Sequence, residues 1–346
     1  MTKAIRAKMN AKLQSWKETL KPYSRPSRRR SIWQLANSIV PYLGLWYLAY
    51  RLLDVSYWAT VGASVLAAGF LVRIFIIAHD CGHGSFFRSR KANAFWGGIT
   101  SFMPFLPYHA WRHEHAVHHA HSGNLDRRGM GDIETLTVKE YVSRTRWERF
   151  RYRAYRHPVV MLVIGPLYTF LISYRFWPSR ATRRVKMSVM RTNAALAIMV
   201  VAMTMMIGVK AFVLVQLPIL LVSGAAGIWL FYVQHQFEGV YWERNEKWDF
   251  VEQSLKGSSY YKLPRVLQWF SGNIGFHHIH HLSAKVPNYY LEKCQKEIAA
   301  FHRVKAITLL SSLKSLSFRL WDEEKRKLVG FAVADAMLRS QAEAAR

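Results

Sequence analysis

Fifteen histidines are spread through this 346-residue chain, and most of them fall into four short clusters. His79 and His83 bracket the run His-Asp-Cys-Gly-His. His115, His118 and His119 stand within His-Glu-His-Ala-Val-His-His-Ala-His. His235 lies in Gln-His-Gln, and His277, His280 and His281 belong to His-His-Ile-His-His. On a helix, residues i, i+3 and i+4 share a face. His79 with His83, the fan of His115, His118 and His119, and the fan of His277, His280 and His281 can therefore each aim imidazoles at one region. A single metal cannot use nine imidazoles, but two metals with four or five each can, leaving coordination positions open. Imidazole suits iron, zinc, copper and nickel, so the ligands alone do not name the metal. A lone histidine on an apolar face is ordinarily a satisfied core residue, and clusters at this spacing are not. His113, His121 and His278 flank the clusters and compete for ligand roles. His109 reads as a neighbour, and His157 and His302 as ordinary surface or core residues.

The elements that carry these clusters look membrane-embedded. Hydrophobic residues make up 51% of the chain, yet its formal net charge is +28. About 20 apolar residues in helix cross a bilayer core, and residues 32–53 and 56–77 each fit. Pro41 and Gly44 are tolerable in such a helix, Arg73 is expected to snorkel to the interface, and Asp54 and Ser56 mark a hairpin turn. A second apolar stretch predicts two more spans, 194–210 and 212–233, with the turn near Lys210. The shorter stretches 94–108 and 158–176 are read as re-entrant or interfacial. Arginine clusters flank 158–176 on both sides, which a spanning helix would split across the membrane. The expectation is an all-α integral membrane protein of four transmembrane helices in two hairpins, with a cytoplasmic histidine-rich cap. It divides into a basic N-terminal segment (1–31), a membrane domain (32–300) and a charged C-terminal tail (301–346).

With that topology nearly all the arginine lies on one side, against anionic lipid, which accounts for the charge without nucleic acid. Residues 1–31 hold ten Lys/Arg against the single acid Glu18, with no secretory signal pattern. They read as an interfacial segment or a basic tail. Cys81 and Cys294 are the only cysteines, far apart, which points to a reducing compartment.

His79-Asp-Cys-Gly-His83, His115-Ala-Val-His118-His119 and His277-His-Ile-His280-His281 resemble, in order and separation, the three histidine boxes of membrane fatty acid desaturases. The run from Gly272 to Tyr290 resembles the third box of the acyl-lipid ω-6, or Δ12, branch, and Asn124 to Val138 resembles its bacterial members. The resemblance covers about residues 35–300. It implies a non-haem di-iron site, dioxygen as co-substrate, membrane lipid acyl chains as substrate, and electrons from a separate ferredoxin or cytochrome b5-like donor. It implies as metal ligands His79, His83, His115, His118, His119, His235, His277, His280 and His281.

Metal-bound histidines usually give their second N–H to a carboxylate or carbonyl. Asp80 and Glu114 are candidates for that role, with pairing to Arg88, Arg112 or Arg127 as the alternative. Asn273 is a candidate helix cap or a water-mediated ligand. Phe86, Phe87, Trp111 and Phe276 are candidates to line a chain tunnel, with plain packing as the alternative. A di-iron hydroxylase of an acyl chain, alkane or carotenoid would keep every ligand. A metal transporter would place ionisable groups inside the spans, and a zinc protease would need a histidine where Val117 stands.

Overall fold

The computed structural model describes residues 3–344; residues 1–2 and 345–346, the outer ends of the basic and charged terminal segments, lie outside the described residues. Its scaffold is helical. In order come α1 (Lys3–Leu20), α2 (Arg28–Leu52), α3 (Tyr57–His83), α4 (Arg90–Phe102), α5 (Tyr108–His121), α6 (Val138–Ser143), α7 (Arg146–Tyr155) and α8 (Val160–Arg175). Then follow α9 (Arg183–Ile207), α10 (Val209–His235), α11 (Phe250–Lys256), α12 (Arg265–Phe270), α13 (His277–Leu282) and α14 (Asn288–Glu297). Short helical turns at Leu309–Ser312 and Leu313–Ser317, a C-terminal helix (Phe331–Ala344) and two small sheets are also found among the described residues. β1 (Tyr260–Lys262) pairs in parallel with β2 (Ala306–Thr308), and β3 (Leu320–Asp322) pairs antiparallel with β4 (Lys327–Val329).

Among the described residues three helices, α3, α9 and α10, are long and apolar enough to cross a membrane. α7 and α8, bent by 62°, would make a fourth if counted as one broken span. α2 is as long but carries Ser31, Gln34, Asn37 and Ser38 among its apolar residues. Its Ser31, Gln34, Leu35, Ser38, Tyr42 and Ala49 are buried, while Trp33, Val40, Leu43 and Tyr47 stay exposed. α3, α10 and α2 share the largest apolar cluster, built on Tyr42, Ala67, Leu71, Val215 and Ile219. α9 leaves Ile198, Val201, Met205 and Met206 open, a surface suited to lipid rather than water.

Several boundaries differ from the sequence expectation. α3 runs past residue 77 to His83 and stops on Gly84, whose φ of 66° gives a left-handed cap that glycine adopts without steric cost. That extra length carries His79 and His83. α9 starts at Arg183 rather than near residue 194, and the turn to α10, expected near Lys210, falls two residues before it at Gly208 (φ 83°), a backbone conformation that glycine adopts without steric cost. Arg73 does not snorkel. It is 7% exposed, its guanidinium lies 3.9 Å over the Trp269 ring and it donates to the Trp269 carbonyl, because α12 packs along α3.

The stretch 94–108 forms the end of α4 and the turn into α5. In α8, π-helical turns at Val160–Ile164 and Tyr168–Ile172 flank Gly165–Leu167, and Pro166 nests on α10 at Gly224, where an added Cβ would sit 2.7 Å from the Pro166 Cβ. α1 is docked rather than free: Leu20 is buried, Trp16 stacks on Phe301 at 5.2 Å, and Lys12 pairs with Glu252. The C-terminal segment is built into the cap as well. Its Ser315 and Phe318 carbonyls each lie 2.8 Å from the Tyr232 hydroxyl, whose single proton they share, and Arg156, fully buried, also donates to the Phe318 carbonyl.

Candidate metal centre

The last turn of α3, the body of α5, the last residue of α10 and the whole of α13 converge at one end of the helical bundle. Their nine histidines divide into two groups. His79, His83, His115, His119 and His280 offer ring nitrogens that all lie within 4.8 Å of one another, and His118, His235, His277 and His281 do the same. The three-histidine fans do not stay together. On α5, His115 and His119 (i, i+4) turn to the first group while His118 turns to the second. On α13, His277 and His281 (i, i+4) go to the second and His280 to the first. The i+3 and i+4 positions bracket a helix face from opposite sides, so each fan straddles both groups.

The tautomers follow from the partners. His118 Nδ1 faces the Asp132 carboxylate, and His235 Nδ1 faces the Gly257 carbonyl at 3.2 Å. Both partners only accept, so each Nδ1 holds the proton and each Nε2 keeps a bare lone pair. Those two Nε2 atoms lie 3.1 Å apart, and His277 Nε2 lies 2.9 Å from His235 Nε2. Lone pairs that close repel unless a cation sits between them, and ligands about 2.1 Å from a shared metal fall at this spacing. In the first group His119 Nε2 is 3.1 Å from His115 Nε2 and 3.0 Å from His280 Nε2. His83 Nε2 and both ring nitrogens of His281 are buried without a hydrogen-bond partner. Burial, reinforced by neighbouring imidazoles, pushes His115, His119, His277, His280 and His281 well below the usual histidine range. That keeps them neutral, the form that binds a metal. The residues present fit two metal ions.

Supporting groups differ from the expectation in part. Asp80 reaches His79 Nδ1 at 3.2 Å with one oxygen. Its other oxygen accepts from the Asn288 backbone N–H at 2.7 Å and from Asn288 Nδ2 at 2.8 Å. Asn288 in turn accepts from Gln34 Nε2 at 3.0 Å, and its carbonyl accepts from Asn273 Nδ2 at 3.2 Å. Asn273, at φ 61°, thus ties the α13 and α14 segments together, and its side chain does not cap α13. Glu114 touches no histidine ring; it accepts from the Tyr174 hydroxyl at 3.0 Å, and burial raises its carboxyl above the usual range. Asp132, Asn288 and Gln34 escaped the sequence reading. An acid directly after two close-set glycines, Gly129-Met-Gly131-Asp132, was the one available signal. Gly131 (φ 74°) lies where a Cβ would be 2.8 Å from the Glu114 carbonyl, so only glycine brings this loop over α5.

The remaining histidines stay outside. His113, His157 and His302 are exposed, His109 and His121 half-buried. His278 is buried but turns away to Gln295 Oε1 at 3.0 Å, and burial pushes it down to about 4.

A cavity of about 370 Å³ opens beside the centre. His79, His115 and His277 form part of its wall, with Trp111 and Glu114, and it runs along α3 and α10 as far as Leu71 and Leu220 between α8 and those helices. Of the four aromatic candidates only Trp111 lines it. Phe86 and Phe87 pack with Leu35 and Ile77, and Phe276 packs with Leu20 and Val251.

An apolar helical scaffold with two buried histidine groups at the wall of a long apolar cavity defines a membrane metalloenzyme. The fatty acid desaturase family model matches residues 55–306, and the chain belongs to that family; it is an oxidoreductase. A fatty acid desaturase of Bacillus subtilis is 48% identical to it over 309 residues, 89% of this chain and 88% of the relative. The sn-1 oleoyl-lipid 12-desaturase of Synechocystis sp. is 28% identical over 256 residues, 73% of this chain and 70% of the relative. The sn-1 acyl-lipid omega-3 desaturase (ferredoxin) of the same organism is 29% identical over 244 residues, 65% and 63% respectively.

Proposed function

We propose that this enzyme inserts a cis double bond, at the Δ12 (ω-6) position, into a lipid-linked fatty acyl chain, using dioxygen, two non-haem irons and an external electron donor. The observation that carries the reading is that His79, His115 and His277, drawn from both histidine groups, form part of the wall of an apolar cavity between membrane-type helices. No side-chain acid, base or nucleophile removes hydrogen from an unactivated methylene, and that chemistry is what bound iron supplies. His79, His83, His115, His119 and His280 would hold one iron, and His118, His235, His277 and His281 the other.

The chain's own residues do the rest. Leu71, Phe75, Leu220 and Phe231 exclude water from the cavity and hold the acyl chain beside the histidines. Asp132 and Asp80 fix the rings of His118 and His79. We place α2, α3, α9 and α10 as four spans in a bacterial inner membrane with the histidine end in the cytoplasm. The arginines of α7 and of the start of α9 then share the cytoplasmic side. The name of the ferredoxin-linked relative and the basic surface both favour a small acidic carrier, ferredoxin or cytochrome b5-like, as donor.

The test is expression in a bacterium without polyunsaturated lipids, with a compatible donor and a His118→Ala control, followed by gas chromatography–mass spectrometry of total fatty acids. A methylene-interrupted diene absent from the control is the expected outcome. A hydroxylated acyl chain instead would overturn desaturation in favour of hydroxylation, and an unchanged lipid profile from iron-loaded protein would remove bulk acyl lipid as the substrate.

A further inference from the structure

β1 and β2 run in parallel, with Lys262 opposite Thr308, so the chain leaves both strands at the same edge. What leaves is apolar in each case. After β1 comes α12, with Val266 66%, Leu267 43% and Trp269 38% exposed. After β2 come Leu309, Leu310 (81% exposed) and Leu313. Tyr261 of β1 and Ile307 of β2 share one buried cluster, Leu263 and Leu316 beside the two segments pack against it, and the Tyr261 hydroxyl lies 3.0 Å from Ser312 Oγ. Two short, unrelated stretches thus present one open apolar surface, larger than scattered single residues.

Its level in the molecule says what covers it. α12 packs along α3 well inside the apolar span. Phe70 meets Trp269 and Phe270 edge-on at 5.7 and 5.1 Å, and a Cβ added at Gly69 would touch Phe270 at 3.0 Å. Arg73 on the next turn binds the Trp269 carbonyl. The apolar surface is therefore continuous with the outer face of a membrane-spanning helix. Around it stand the exposed cations Lys262, Arg265 and Lys314, and residues 253–291 and 298–321 contain no Asp or Glu. An apolar face bordered by these three cations suits the boundary between acyl chains and anionic headgroups.

We infer that α12 and the Leu309–Leu313 segment form an interfacial anchor that inserts into the bilayer beside α3. The C-terminal segment is then a membrane-contacting part of the enzyme, coupled to the metal centre. Ile307 packs with Tyr232 and Val233, and the Tyr232 hydroxyl donates to the Ser315 carbonyl one turn before His235. The inference does not depend on the reaction catalysed.

The experiment uses the full chain in nanodiscs that contain anionic lipid. Cys81 and Cys294 are buried, so a polarity-sensitive fluorophore can be placed selectively on Leu310→Cys, on Val266→Cys, or on Ser340→Cys in the exposed C-terminal helix as an aqueous control. At positions 310 and 266 the expected result is blue-shifted emission that is lost to lipid-borne nitroxide and kept against aqueous iodide, with the opposite pattern at position 340. Quenching by iodide at 310 and 266 would overturn the anchor. Protection from both quenchers would also overturn it, in favour of a second copy of the chain covering the patch. Two separate labelled positions keep the test decisive if one variant folds poorly.

Discussion

The two histidine groups are built from the same sequence clusters yet differ in surroundings. The five-histidine group includes His83, His115 and His119, each half-buried, while all four members of the other group are buried. His79 of the first group leans on Asp80, which Asn288 holds and Gln34 steadies through Asn288, each from another helix. The second group is fixed by a carboxylate on His118 and a backbone carbonyl on His235. One group has a fifth imidazole and partial exposure; the other has four, all buried. Redundancy and burial are therefore traded against each other within one centre.

The largest effect should come from removing a ligand on each side. If the centre holds two metals as proposed, His118→Ala leaves three imidazoles in the four-histidine group and is expected to hold about half the wild-type metal, whereas His83→Ala leaves four and keeps nearly all of it. Elemental analysis of purified protein measures this, and equal loss in both variants would break the asymmetry. Next come the carboxylates that orient rings. Asp132→Asn and Asp80→Asn should each weaken iron binding by about 10–100-fold in chelator competition. Asp132 is expected to matter more, because its group has no fifth ligand. The smallest effect belongs to Tyr174→Phe. It strips the half-buried Glu114 of its donor and should lower stability by about 1 kcal/mol in thermal unfolding with metal content unchanged. Iron loss in this variant would mean that Glu114 acts on the centre rather than on the cavity.

Much of this was legible in one dimension. The spacing in His115-x-x-His118-His119 and His277-x-x-His280-His281 marked metal-type clusters because helical periodicity is local, and the apolar runs marked α3, α9 and α10 because bilayer thickness fixes a helix length. Boundaries were less secure. α3 continues to His83 because packing on α4, α5 and α13 extends the helix beyond its apolar stretch, and Arg73 turns inward because α12 offers it a carbonyl and a ring.

The sequence by itself determined the ligand types, their helical spacing, the membrane-type helices and the family. The tertiary structure decided which imidazole joins which group, since i+3 and i+4 diverge only when a second helix faces them. It also decided that Asp80, rather than Glu114, supports a ring. Asp80 is held by Asn288, 208 residues away, and no local pattern encodes a contact whose partners meet only when the helices pack.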